Sequence, residues 1–185
     1  GWYCRRGVDT PTPFTGVQDA PHLGPGVVLG GDVCPPGTFC PNGSAAPTGC
    51  CPGSYNDLPA EALACRACPP GFYCLANATG YLSAPCPAGH FCPENTTFAT
   101  QFPCPAGTYN PLAQRSGLSA CVPCPGGAFC PGLGNAAPAG NCSSGYFCRS
   151  AQSSATPPDS ADGGRCVLGE YCPSGAAEPR PCPPG

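Results

Sequence analysis

The sequence predicts a small disulfide-rich fold, irregular with short β-ribbons and almost no helix, laid out as an elongated tandem array of cysteine-rich repeats. Three observations predict it. Of 185 residues, 19 are Cys, a share that marks a disulfide scaffold. The 29 Pro and 27 Gly interrupt nearly every window, so no helical periodicity is sustained. Ten Leu, seven Val, eight Phe and no Ile leave only 25 core-forming residues, well under the roughly one fifth of a chain that a packed core requires. The net charge of −3 is too small for disorder driven by charge. Cross-links must hold what packing cannot.

In chain order, residues 1–33 read as an extended N-terminal arm. It has Cys4 alone, a polyproline-like Thr10-Pro11-Thr12-Pro13 stretch and a Gly24-Pro25-Gly26 turn. Val27-Val28-Leu29 is its one short strand. Residues 34–50 form a partial repeat, 51–103 one cysteine-rich module, 104–165 a second, and 166–185 the start of another. The two modules share all but the first and last of their cysteine gaps: 14, 3, 6, 12, 6, 12 from Cys51, and 17, 3, 6, 12, 6, 18 from Cys104. Such self-similarity is the signature of a repeat architecture. The closing Pro183-Pro184-Gly185 begins another C-P-P-G unit, which reads as a cut from a longer array.

The unit itself is C-x5-C, found at Cys34–Cys40, Cys68–Cys74, Cys86–Cys92, Cys124–Cys130, Cys142–Cys148 and Cys166–Cys172. Its commonest form, C-P-x-G-x-(Phe/Tyr)-C, has a mechanism. Pro fixes φ and opens a turn, and Gly supplies a positive φ. The aromatic, at Phe39, Tyr73, Phe91, Phe129, Phe147 and Tyr171, supplies apolar surface to stack on a neighbouring disulfide. Two further copies, C-P-G-S-Y-N from Cys51 and C-P-A-G-T-Y-N from Cys104, carry Asn where a second Cys would stand. Spacing alone does not fix connectivity, but a Cys without its loop partner should take the next one along, giving Cys51–Cys65 and Cys104–Cys121. Nineteen cysteines make at most nine internal bridges, and Cys182 or Cys4 is expected to be left over.

The run C-P-A-G-T-Y-N…C-V-P-C-P-G-G-A-F-C resembles the ephrin-receptor-like cysteine-rich repeat, a relative of EGF-like and tumour-necrosis-factor-receptor modules. The resemblance covers Cys34 to Gly185. It implies a one-two, three-five, four-six pairing, which adds Cys68–Cys86, Cys74–Cys92, Cys124–Cys142 and Cys130–Cys148. Similar arrays occur in large surface proteins of algae and other protists, including ones resembling flagellar-hair components.

Function is bounded by what the residues permit. The seven Arg are scattered and Lys is absent, so a nucleic-acid partner lacks its counterion-displacing patch. The longest apolar run is far shorter than a bilayer span, so no membrane span is expected in this segment. Two C-x2-C pairs, Cys65–Cys68 and Cys121–Cys124, would suggest zinc in a cytosolic protein; in a ladder of cysteines they read as disulfide partners. His22 and His90 are isolated, no calcium-loop spacing occurs, and no catalytic residue, metal or cofactor is expected. Covalent glycans are. N-x-S/T sequons stand at Asn42, Asn77, Asn95 and Asn141, and O-linked sugars would suit Thr10, Thr12, Ser153, Ser154 and Thr156.

These features point to a non-enzymatic extracellular or cell-surface structural protein, a glycosylated rod or fibre subunit. Its partners would be further copies of itself or other matrix proteins. The arm would meet another subunit, with Val27–Leu29 added to an exposed strand edge, or would serve as a linker from an upstream domain. The alternative is a receptor ectodomain binding a protein ligand, which an exposed aromatic or Arg cluster would favour; Trp2-Tyr3 beside Arg5-Arg6 is the nearest approach to one.

Overall fold

The computed structural model describes residues 2–4, 31–61 and 63–184. Eight loops recur along the described residues, each turning on a glycine three residues after its first Cys. These glycines, at 37, 53, 71, 89, 107, 127, 145 and 169, have φ between 80° and 90°. Each turn is closed by a backbone bond from the residue after the glycine to the second residue of the loop, as in Thr38 N–H to Pro35 O (3.2 Å) and Thr108 N–H to Pro105 O (3.1 Å). A positive φ at the third position is what a type II turn demands, and glycine meets it without a Cβ penalty.

The turn brings the loop ends together. In the six loops with two cysteines the Cα atoms lie 5.8–6.3 Å apart and the pair is bridged: Cys34–Cys40, Cys68–Cys74, Cys86–Cys92, Cys124–Cys130, Cys142–Cys148 and Cys166–Cys172. That separation suits a disulfide. The crossed pairs that the resemblance implied, Cys68–Cys86, Cys74–Cys92, Cys124–Cys142 and Cys130–Cys148, are therefore not formed. Each of those cysteines is already spent within its own loop.

The expected Cys51–Cys65 bridge is corrected too. The bond is Cys50–Cys65, and Cys51 is a free, exposed thiol. The turn glycine decides the register: Gly53 lies three residues after Cys50, and Asn56 six after it. Cys51 thus stands where most loops carry Pro, and the module begins at Cys50. Cys104–Cys121 forms as expected. Cys182 is the other free thiol among the described residues.

The fold is almost without helix; among the described residues only a 3-10 turn, Leu118–Ala120, appears. Among the described residues, fourteen short strands pair into seven antiparallel two-stranded ribbons. The first joins β1 (Trp2–Cys4) to β2 (Gly31–Val33), with Trp2 opposite Val33. The two ends of the 1–33 stretch thus pair with each other; the rest of the expected arm, Val27–Leu29 included, lies outside the described residues.

The other six ribbons share one plan, in which the residues after a turn glycine pair with those just before the next loop. They are β3 (Thr38–Phe39) with β4 (Thr48–Gly49), β5 (Ser54–Tyr55) with β6 (Arg66–Ala67), and β7 (Thr108–Tyr109) with β8 (Val122–Pro123). Then come β9 (Ala128–Phe129) with β10 (Gly140–Asn141), β11 (Tyr146–Cys148) with β12 (Gly163–Arg165), and β13 (Glu170–Tyr171) with β14 (Arg180–Pro181).

Contacts divide the chain into two compact units, residues 1–84 with 94–98, and residues 85–93 with 99–185. In the first, Tyr55 packs on the Cys68–Cys74 disulfide with Phe72, Ala78 and Tyr81 around it. Tyr81 meets both Tyr55 and Phe72 edge-on at 5.0 Å, an arrangement that aromatic quadrupoles favour. In the second, Phe91 stacks on Phe102 at 5.7 Å. Most of the half-cystines are buried, together with Asn56, Thr96 and Asn110, while Phe39, Tyr73, Phe91, Phe129 and Phe147 are half-buried and Tyr171 is exposed. Cross-links, not the aromatic row, form the interior.

Candidate functional site

Within each unit, successive loops are joined by the same four backbone hydrogen bonds. In the joint from loop Cys34–Cys40 to loop Cys50–Asn56, Gly37 N–H donates to Asn56 O (2.8 Å) and Cys50 N–H to Gly37 O (2.9 Å). Ala60 N–H donates to Cys34 O and Cys40 N–H to Glu61 O, both at 2.9 Å. The second unit repeats the pattern, for example with Gly127 N–H to Cys148 O, Cys142 N–H to Gly127 O, Ala151 N–H to Cys124 O and Cys130 N–H to Gln152 O, all within 2.8–2.9 Å. Six joints carry all four bonds among the described residues. Buried amides and carbonyls are thereby paired without any particular side chain.

The third of these bonds comes from a residue with a left-handed backbone just after a loop. Ala60, Asn77, Asn95, Gln114, Gly134, Ala151 and Gly175 all have φ between 57° and 78° and fill this place. The carbonyls of Asn77, Asn95, Gly134, Ala151 and Gly175 reach one loop further. A Cβ on Gly37 would lie 2.5 Å from Asn77 O, and one on Gly53 the same distance from Asn95 O. Within each unit every repeat thus touches its neighbour and the next but one. A repeat stack with nearest-neighbour contacts alone is too simple a picture.

Asn56 and Asn110, which fill the place of the missing half-cystines, are 0% and 1% exposed. The Asn56 amide donates to Thr38 O (2.6 Å) and its oxygen accepts from Leu58 N–H (3.1 Å). Asn110 does the same with His90 O (2.9 Å) and Leu112 N–H (3.1 Å). The sequence marked these positions but not this role. A buried Asn with all its partners made is a polar substitute for a bridge.

All four sequon asparagines are exposed. Asn42 precedes Gly43 in a turn closed by Ser44 N–H to Pro41 O (3.0 Å). Asn141 lies in β10, its amide against Gly175. Asn77 and Asn95 occupy the left-handed place of consecutive repeats. Of the O-glycosylation candidates, Ser153 and Thr156 are exposed and Ser154 is half-buried, its Oγ accepting from Thr156 N–H (3.2 Å); Thr10 and Thr12 lie outside the described residues, as does His22.

The structure separates the cysteines of each C-x2-C pair into different disulfides: Cys65 with Cys50, Cys68 with Cys74, Cys121 with Cys104 and Cys124 with Cys130. His90 contributes its backbone to a bridge with Pro103, and its ring Nδ1 lies 3.2 Å from Ala88 O. Three arginines lie over aromatic rings: Arg66 at Tyr55, Arg149 at Phe147 and Arg165 at Tyr146. Arg165 also donates from Nε to the Tyr146 hydroxyl (3.0 Å), and this bond, aided by Asp159, raises its pKa further above the ordinary range. An open cleft of about 500 Å³ lies between Arg149, Ser150, Ala177, Glu178, Pro179 and Arg180. Among the described residues no group of His, Cys, Asp or Glu converges with metal-binding geometry, and no helix is long and apolar enough to cross a membrane. No protein-family model and no curated protein matches the chain.

Proposed function

We propose that this chain is a structural module of the cell surface or extracellular matrix, a glycosylated rod or fibre subunit of the ephrin-receptor-like repeat class. The observation that carries this reading is the backbone-only joint, repeated without change through each unit. A protein that recognises a partner invests in distinctive side chains at one place. This one invests in a uniform connection, which suits a spacer or strut. Eight disulfides add to the case, since they persist only where the surroundings are oxidising. Small-angle scattering together with electron microscopy of the purified protein tests it. A compact chain of this length has a radius of gyration of roughly 16 Å. Linear particles with a markedly larger radius are expected, and a compact sphere would overturn the proposal.

A further inference from the structure

We infer that Asn77 and Asn95 are a matched pair of N-glycosylation sites, set one repeat apart by the left-handed position that both occupy. The inference rests on the extracellular reading above and deepens it. Both residues have nearly the same backbone, with φ of 59° and 64°. Both donate their N–H to the first Cys of the preceding loop, Asn77 to Cys50 O (2.8 Å) and Asn95 to Cys68 O (2.9 Å). Both press their carbonyl on the turn glycine of the loop before that. Their main chains face the repeat stack while their side chains remain exposed.

Asparagine does tolerate a left-handed backbone better than most residues. That alone does not account for the pair. Other repeats place Ala60, Gln114, Gly134, Ala151 and Gly175 at the same point, so the fold accepts alanine, glutamine and glycine there. Nor does packing account for the threonine two residues after Asn77. The Cγ2 methyl of Thr79 lies 3.2 Å from where a Cβ on Gly37 would stand, and valine would supply the same methyl. The hydroxyl is what the sequon adds. At Asn77 the amide is also oriented: its Oδ1 is turned to Gly49 and its Nδ2 lies farther away.

Nδ2 is the atom that reacts. It forms a bond to C1 of the first sugar of a lipid-diphosphate-linked oligosaccharide, the lipid diphosphate leaves from that carbon, and the amide gives up one proton to the medium.

Glycopeptide mapping of the protein from the cells that make it, with a thiol count on the same sample, provides the test. Both Asn77 and Asn95 should carry glycan, and either site found bare overturns the pairing. Bare sites on a protein that keeps its eight bridges sink this inference alone, whereas bare sites on a reduced protein sink the extracellular reading with it. Variants made in the same cells sharpen the result. Asn77→Gln and Asn95→Gln should each lose one glycan's mass and remain folded, since Gln114 already fills this position. Thr79→Val keeps the methyl and should lose the glycan at Asn77; a glycan retained there would refute the role given to the hydroxyl.

Discussion

Asn56 and Asn110 show how much one buried amide contributes when a cross-link is missing. Each joins its own loop to the preceding one through Thr38 O or His90 O, and also secures the chain that leaves the loop. Replacing either by Ala leaves a part-buried carbonyl and a part-buried N–H without their partner, which costs about 1–3 kcal/mol. Asn56→Ala and Asn110→Ala should each lower the denaturation midpoint by a comparable step, measured by urea unfolding under non-reducing conditions. Both asparagines were visible in the sequence as departures from the Cys pattern. Their partners were not, because Thr38 and His90 lie a full repeat away and offer only main-chain oxygen.

At the scale of the repeat, the doublet Cys50-Cys51 is where sequence reasoning went astray by one residue. The C-P dipeptide favoured Cys51, while the positions of Gly53 and Asn56 favoured Cys50. The left-handed glycine is a physical requirement of the turn, whereas the proline is only a preference. Cys50→Ser should therefore free Cys65 and cost about 3 kcal/mol, the value of closing a loop of this length. Cys51→Ser should change stability by less than about 0.5 kcal/mol, as surface substitutions do. Thiol titration and chemical denaturation of the two variants check both expectations. The short-ribbon fold and the Cys104–Cys121 bridge were legible from composition and spacing. The in-loop disulfides were not, since a pairing borrowed from a resemblance ignored how tightly the type II turn closes six residues.

At the scale of the whole molecule, joints that are uniform within each unit make that unit's repeats interchangeable. Removing residues 124–141 deletes one bridged loop and its spacer, and would set Gly107 opposite Cys142 and Cys148. Ala151 would then meet Cys104 in place of Gly134, and an alanine is already accepted at that position. This shortened chain should still fold with its seven remaining bridges in native pairing, as non-reducing peptide mapping would read out. Scrambled bridges would mean that each repeat is tuned to its own neighbours. The long-range plan was only partly legible in the sequence, because its bonds use atoms that every residue possesses.

The eight disulfides among the described residues all close over short spans, six of them over six residues and the others over 15 and 17. A chain with such local cross-links does not have to wait for its C-terminus to be synthesised. Each loop can oxidise soon after its second cysteine enters the oxidising compartment, well before more distant cysteines arrive to compete for it. Identical joints would otherwise invite slippage, with one loop docking on the wrong successor. Sealing each loop early, in order of emergence, leaves only the next repeat to be recognised. The fidelity of a monotonous array then rests on the direction of its birth.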